Sequence, residues 1–343
     1  MQKEIIERII SSLDQSLKEK GEYVQFNDPS YKPIRISKEN FHKIKGTQPN
    51  NNVAFVDGGN AEILKAPNFS LQLIRVAYTI YKENKRVESK KHESFVLINA
   101  ENKGDEIIYK TEFFGINKHS LSFDSFDTTI RQGNHRISIS VIGSAIRRFM
   151  ELEIATKTID KLDSNDMMVI DGDLKSSITN ETDYLEELYK KAIQKNVTLS
   201  AVSKTSELLT EKGNALMPIL NEMSPEGEWY YHPLVQIDNK AHQIDMYVIK
   251  LQKNSKYAFK FEVFNKKDYK IDEVLAMLKN NSKDPVFLGY PYGLIEADKL
   301  ARISNQERNY LLTILLSKIK NKKEITNYLN TLNAHNILDS ISY

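Results

Sequence analysis

Two short segments constrain the fold more than any other part of the chain: Val53-Ala-Phe-Val-Asp57-Gly-Gly and Met167-Met-Val-Ile-Asp171-Gly-Asp. Each is a four-residue apolar run that reads as a buried strand, stops at a carboxylate and turns on glycine. Two aspartates are thereby expected at strand ends. In open α/β sheets, ligands collect in the crevice beyond the carboxyl ends of the strands, so paired carboxylates there suit a hard cation. Asp before Gly is also ordinary turn chemistry. The recurrence of one strand, Asp, Gly form is what favours a site over two unrelated turns.

A chain of 343 residues allows one large domain or two modest ones and is ample for a proper core. Lys and Arg number 48 against 46 Asp and Glu, a net charge of +2, so any affinity for nucleic acid must be local. The absence of cysteine removes disulfides, thiolate zinc sites and cysteine nucleophiles together, leaving histidine or carboxylate chemistry. Met1-Gln-Lys-Glu lacks the basic and apolar regions of a signal peptide, and no apolar stretch approaches the roughly 18 residues of a membrane span. A soluble, cytoplasmic protein without a membrane partner is expected.

At the N-terminus, Ile5, Ile6, Ile9, Ile10, Leu13 and Leu17 fall at helical spacing before Gly21. This helix either docks on its own domain or contacts a partner. Residues 21–52, punctuated by Pro29, Pro33, Gly46 and Pro49, read as an irregular connection, so 1–50 forms one unit and the main domain spans 51–343. After Asp57, β-rich runs at 70–82, 94–99 and 106–114 suggest an antiparallel meander. A long helix over 137–163 leads into the second Asp strand, followed by a helix at 181–195 and the strand Val197-Thr-Leu-Ser-Ala-Val. A further β-rich segment covers 229–236, 242–251 and 256–264, and the chain from about 271 is largely helical.

Four strands, helix, strand, helix, strand, with carboxylates at the ends of the first and the next core strand, is the order of a ribonuclease-H-like fold. The fold class expected is therefore α/β: a mixed sheet with flanking helices, an extra β-rich segment and a helical C-terminal part. That fold serves two-metal phosphodiester chemistry, in which oxygen-loving ions about 4 Å apart activate water and stabilise the leaving oxygen. A third carboxylate is needed, and the helix segment Arg147-Arg-Phe-Met-Glu-Leu-Glu-Ile offers Glu151 and Glu153. At 100° per residue, Glu153 shares a stripe with Ile142, Ile146 and Phe149, whereas Glu151 lies on the opposite face with Ser144 and Arg148. Periodicity favours Glu153, and either glutamate could be a solvated helix charge.

The chain resembles the NurA-type nucleases. The resemblance rests on Val-Asp57-Gly-Gly, the Arg-Arg-x-x-Glu151 helix, Val-Ile-Asp171-Gly-Asp-Leu, Ala201-Val-Ser-Lys204-Thr-Ser, and Gly289-Tyr290-Pro-Tyr-Gly-Leu-Ile-Glu-Ala-Asp298-Lys-Leu-Ala, together covering about residues 51–303. Each motif is short; their order makes the combination specific. The resemblance implies a metal-dependent DNA nuclease that cuts single strands, degrades ends 5′ to 3′ with Mn²⁺ or Mg²⁺, forms a homodimer and works with a HerA-type hexameric ATPase. It implies Asp57 and Asp171 as metal ligands and, from its place after the Arg pair, Glu151 as the third, with Glu153 the alternate.

In the family's last motif a His usually stands eight residues after the Tyr. Here that position is Asp298. A carboxylate can ligate Mg²⁺ but lacks the neutral donor and cationic forms of imidazole near neutral pH, so metal preference or rate is expected to differ from that of relatives. Tyr290 and Asp298 close the site in this reading, as catalytic candidates beside the three ligands, or else Tyr290 merely covers apolar surface. Lys204 is a candidate to neutralise a substrate phosphate, or a surface charge. His232 and His242 do not cluster at ligand spacing and read as structural. Lys318-Ile-Lys-Asn-Lys-Lys-Glu reads as a solvated helix end. Two alternatives stand beside the DNA nuclease: a catalytically inactive DNA-end adaptor of the same fold, which Asp298 motivates, and a nuclease acting on RNA. No Gly-x-x-x-x-Gly-Lys loop or Gly-x-Gly-x-x-Gly run is present to bind a nucleotide, so ATP hydrolysis would belong to a partner.

Overall fold

The structure, a computed structural model, describes residues 2–16, 20–46, 50–131, 133–266, 268–321 and 323–329. Among these, helix α1 (Gln2–Ser16) precedes strands β1 (Tyr31–Pro33) and β2 (Phe41–Lys43). A meander follows: β3 (Asn52–Lys65), β4 (Phe69–Lys82), β5 (Lys85–Lys103), β6 (Glu106–Phe114) and β7 (Ser122–Asp124). Next come α2 (Ile139–Ile159), β8 (Met167–Asp171), α3 (Glu181–Lys195), β9 (Thr198–Ser203) and α4 (Leu216–Met223). Strands β10 (Trp229–Tyr231), β11 (Val235–Ile237), β12 (Ile244–Lys250) and β13 (Phe259–Phe264) lead to α5 (Ile271–Asn281), α6 (Tyr292–Ala301) and α7 (Asn305–Lys318).

Eleven of these strands form one sheet in the order β2-β10-β12-β13-β9-β8-β3-β4-β5-β6-β7, and β1 pairs with β11 apart from it. The centre, β3-β8-β9, is parallel; the pairs on either side of it are antiparallel. This is the mixed sheet of a ribonuclease-H-like fold. Strand alternation sends Ala54, Val56, Met168 and Ile170 into a core shared with α2 and α3, and Val53, Phe55, Met167 and Val169 into a second core under α5 and α6. Both cores are built of buried apolar side chains, and each fully buried aliphatic or aromatic side chain contributes about 1.5–3 kcal/mol. Helix α6 presses closely on β3: a Cβ on Gly293 would stand 2.0 Å from the Phe55 ring, so only glycine fits there.

The structure differs from the expected elements in three places. Residues 21–52 are more than an irregular connection, because β2 extends the main sheet beside β10 and β1 pairs with β11. Strand β5 begins at Lys85, well before the expected 94, since the charged run 85–93 is paired to β4 by backbone bonds that are indifferent to side-chain polarity. The chain does not turn at Gly58-Gly59; β3 runs straight through both glycines to Lys65. At the second aspartate the expected turn is present, with Gly172 at φ +97°.

On α1 the apolar face is open: Ile5, Ile6, Ile9, Ile10 and Leu13 are each more than half exposed. Leu17, expected to complete that stripe, lies outside the described residues, as do Lys322 and the expected helical stretch beyond 329. Among the described residues no helix is long and apolar enough to cross a membrane.

Candidate active site

Register places the two aspartates side by side. Val56 pairs with Ile170 across the parallel β3-β8 ladder, which puts Asp57 level with Asp171 on the next strand, about 4.8 Å away in the sheet direction. By alternation both point to the α6 side of the sheet, as does Lys204, just past the end of β9. Glu151 comes from the other layer, on α2. It reaches the strand end over Gly58, where a Cβ would stand 2.4 Å from the Glu151 Oε1. The first glycine of the Asp-Gly-Gly segment is thus a notch for a carboxylate rather than a turn.

Lys204 joins the acids. Its Nζ lies 3.2 Å from Asp57 Oδ2, 3.0 Å from Asp171 Oδ2 and 3.4 Å from Asp298 Oδ1. Tyr290, fully buried, donates its hydroxyl to Asp171 Oδ1 at 3.0 Å, and its ring stacks on Phe287 with centroids 5.1 Å apart. Asp298, on α6, also accepts from Arg302 Nη2 at 3.3 Å. Arg147 spans the notch, donating from Nη1 to the Gly58 carbonyl at 2.9 Å and to Glu151 Oε1 at 3.0 Å. The structure therefore brings together Asp57, Glu151, Asp171, Tyr290, Asp298 and Lys204.

Glu153 is elsewhere. It is about one-third exposed and ion-paired with Lys118 and Lys157, away from the aspartates. The periodicity that favoured it fails because α2 lies between the sheet and α3 and is buried over most of its surface, so no single apolar stripe marks the sheet face.

Burial pushes the Asp57 carboxyl up to about 7, reinforced by the Asp171 charge and opposed by Lys204. Burial also raises Glu151, against the pull of Arg147 and Arg148. For Lys204, burial works against the ammonium, but Asp171 and Asp57 outweigh it and hold the lysine above its ordinary value. Burial and then the Asp171 charge raise Tyr290, so its phenol is a donor throughout the physiological range.

This is an all-oxygen donor set crowded with negative charge, the kind that takes a hard divalent cation, and the Lys204 ammonium stands in for such a cation between Asp57 and Asp171. With the side chains as they stand, no group of three or more carboxylates or histidines among the described residues is spaced to hold a metal. The residues fit a metal in chemistry, and the place between the two aspartates is taken by the Lys204 ammonium.

The carboxylates open on a cavity of about 850 Å³ on the α2 side, lined also by Arg148, Lys175 and Lys260. A buried polar chain, unforeseen in the sequence, backs its wall. Lys260 pairs with Asp173 and, at 3.1 Å, with Glu262; Glu262 Oε2 lies 3.0 Å from His242 Nε2, whose Nδ1 meets the Tyr31 hydroxyl at 2.6 Å. The available signal was Lys260 and Glu262 alternating with Phe259, Phe261 and Val263, two charges on one face of an otherwise apolar strand.

Carboxylates on adjacent strands of a ribonuclease-H-like sheet, joined by a helix glutamate over a wide polar cleft, define the class of ribonuclease-H-like nucleases. Within it the chain belongs to the NurA family: the NurA domain matches residues 51–303. The NurA nuclease of Sulfolobus solfataricus has a similar structure, with a TM-score of 0.51 and 14% identity, covering 92% of this chain and 93% of that one. The catalytic domain of human endonuclease V is more distant, with a TM-score of 0.38 and 10% identity over 81% of this chain and 92% of that one. No curated protein sequence matches the chain.

Proposed function

We propose that this chain is a metal-dependent deoxyribonuclease that cuts single-stranded DNA and processes ends 5′ to 3′, as a homodimer working with a HerA-type DNA translocase. The observation that carries this reading is the level placement of Asp57 and Asp171 with Glu151 brought to them over Gly58. Asp57, Asp171 and Glu151 would hold Mn²⁺ or Mg²⁺, which when bound supplies an activated water and stabilises the leaving oxygen. The remaining work belongs to the chain. Tyr290 fixes the rotamer of Asp171 through its hydroxyl, and Arg147 fixes Glu151. Lys204, which lies within 3.2 Å of both aspartates, would neutralise a scissile phosphate held there. Asp298 offers Lys204 a resting partner at the site's rim.

Membership of the family, and the solved nuclease from S. solfataricus, support this reading. The translocase and the dimer rest on the resemblance and on the open apolar face of α1, which a partner surface would cover. A second reading, the inactive DNA-end adaptor, draws on the Lys204 ion pairs, which neutralise the aspartates without metal. Release of nucleotides from a 5′-labelled single strand separates the two. It should proceed in Mn²⁺ or Mg²⁺, stop in EDTA and be abolished by Asp57→Ala, with and without the ATPase. DNA binding without cutting under every condition would establish the adaptor, and faster cutting of an RNA strand would move the substrate to RNA.

A further inference from the structure

Beyond the cavity, a ladder of aromatic rings runs from Asp171 to the surface. Tyr290, bonded to Asp171, stacks on Phe287; Phe287 meets the edge or face of Tyr257 with centroids 5.4 Å apart and an interplanar angle of 89°. Phe259 buttresses all three, at 5.2 Å from Tyr290, 5.7 Å from Phe287 and 6.4 Å from Tyr257. Tyr290 is fully buried, whereas Tyr257 is 56% exposed and the neighbouring Val286 72% exposed.

The ladder lies at the catalytic end of the sheet. Strand β13 is antiparallel to β9, with Lys260 opposite Ser203, so the residues just before β13 emerge where β9 delivers Lys204. Tyr257 meets Phe259 and Phe287, both part of the core under α5 and α6, and so lies on the α6 side, across the carboxylates from the cavity. Its position is fixed: Tyr257 N–H donates to Ser255 Oγ at 3.0 Å, and Ser255 Oγ donates to the Tyr257 carbonyl at 3.0 Å. Gly289, at φ +93°, lies so close that a Cβ would stand 2.6 Å from Ser255 Oγ, which clamps the loop before β13 to the loop before α6. The loop Gln252-Lys-Asn-Ser-Lys256-Tyr contains two exposed lysines, of which Lys253 pairs with Glu226 at 3.7 Å.

An exposed aromatic held by its own loop beside the carboxylates, next to the exposed Lys256, has the form of a base-stacking platform, which suits unpaired bases of any sequence, whereas bases inside a duplex present no free face. We propose that Tyr257, supported by Phe287 and Val286, stacks a base of single-stranded DNA whose backbone crosses the sheet end at Asp57 and Asp171. The proposal rests on the nuclease reading for the direction of the strand, and on the ring geometry for the contact. It makes Tyr257 a specificity residue for single strands over duplex, since only an unpaired base presents a free face.

The test is equilibrium binding of a short oligo(dT) strand and of a duplex of equal length in Ca²⁺. Tyr257→Ala should weaken single-strand binding by about tenfold to a hundredfold at an unchanged melting temperature, and Tyr257→Phe should restore it. Trp229 is the sole native tryptophan and is fully buried, so added emission from Tyr257→Trp should be quenched by the strand and not by the duplex. Wild-type affinity in Tyr257→Ala, equal binding of duplex, or a wild type without single-strand affinity would overturn the platform. Cutting in Mn²⁺ is read separately: a protein that binds through Tyr257 but never cuts keeps the platform and loses the nuclease, while one that cuts with Tyr257 silent does the reverse.

Discussion

A methyl group at position 58 would meet Glu151 Oε1 at 2.4 Å and its Cγ at 2.9 Å, whereas one at position 59 would meet the Ala301 backbone carbonyl at 2.5 Å. The two glycines of the Asp-Gly-Gly segment therefore fail differently when substituted. In Gly58→Ala the obstacle is a side chain that can turn away, so the fold should survive while cutting falls by at least about a hundredfold through loss of the Glu151 position. In Gly59→Ala the obstacle is the end of α6, and melting should drop by several degrees. Thermal melts paired with cleavage rates check both, and equal behaviour of the two variants would sink the notch. Lys204 gives a prediction in metal-free protein. Lys204→Met leaves the aspartates without their cation, so melting in EDTA should fall relative to wild type, and Mn²⁺ should raise it by a larger increment than it raises wild type. The same Mn²⁺ increment in both proteins would show that the ammonium does not occupy the cation's place.

At the scale of single elements, β13 makes a pH prediction through Glu262. Burial opposes its ionisation, but the His242 hydrogen bond, Lys260 and the Leu174 N–H outweigh burial and hold the carboxyl at about 2. A folded value below the ordinary glutamate range contributes stability that is present above about pH 4.5 and lost as pH falls towards 2. Glu262→Gln should therefore destabilise the protein at pH 7, by about 3 kcal/mol, and lose less than wild type between pH 4.5 and 2. Parallel denaturant titrations at several pH values check this; parallel stability curves would refute it. The same strand shows where sequence reading stops. The aspartate strands, the meander and α2 were legible because apolar runs and periodicity record burial. The fate of Lys260 and Glu262 was not, because their partners Asp173 and His242 come from distant segments that only the fold assembles. Glu151 was legible by motif and not by periodicity, for α2 is buried on too many sides to show one face. Residues 85–93 and 41–43 were missed because strands at and near sheet edges are held by backbone pairing, which polar side chains do not reveal.

For the whole molecule, the first fifty residues divide into parts with opposite roles. Helix α1 leaves its isoleucines exposed, and beyond it Lys20 makes an exposed ion pair with Glu222, a contact worth little. By contrast, residues 21–46 are built into the body. Val24, Tyr31 and Ile44 are buried, β2 covers the edge of β10, and Phe41 packs edge-on against both Trp229 and Tyr231. Burial of such side chains contributes about 1.5–3 kcal/mol each, so together they rival the 5–15 kcal/mol by which a folded domain usually exceeds its unfolded chain. A protein lacking residues 1–20 should melt within about 2 °C of the full chain, and light scattering would show whether α1 carries assembly: unchanged mass would remove it from the dimer. One lacking residues 1–50 should expose Trp229, shift its emission to the red and aggregate or unfold, although the family match begins only at residue 51. If that shorter protein instead melts like the full chain with its tryptophan still buried, the edge formed by β2 is dispensable and the sheet is closed by β10 alone.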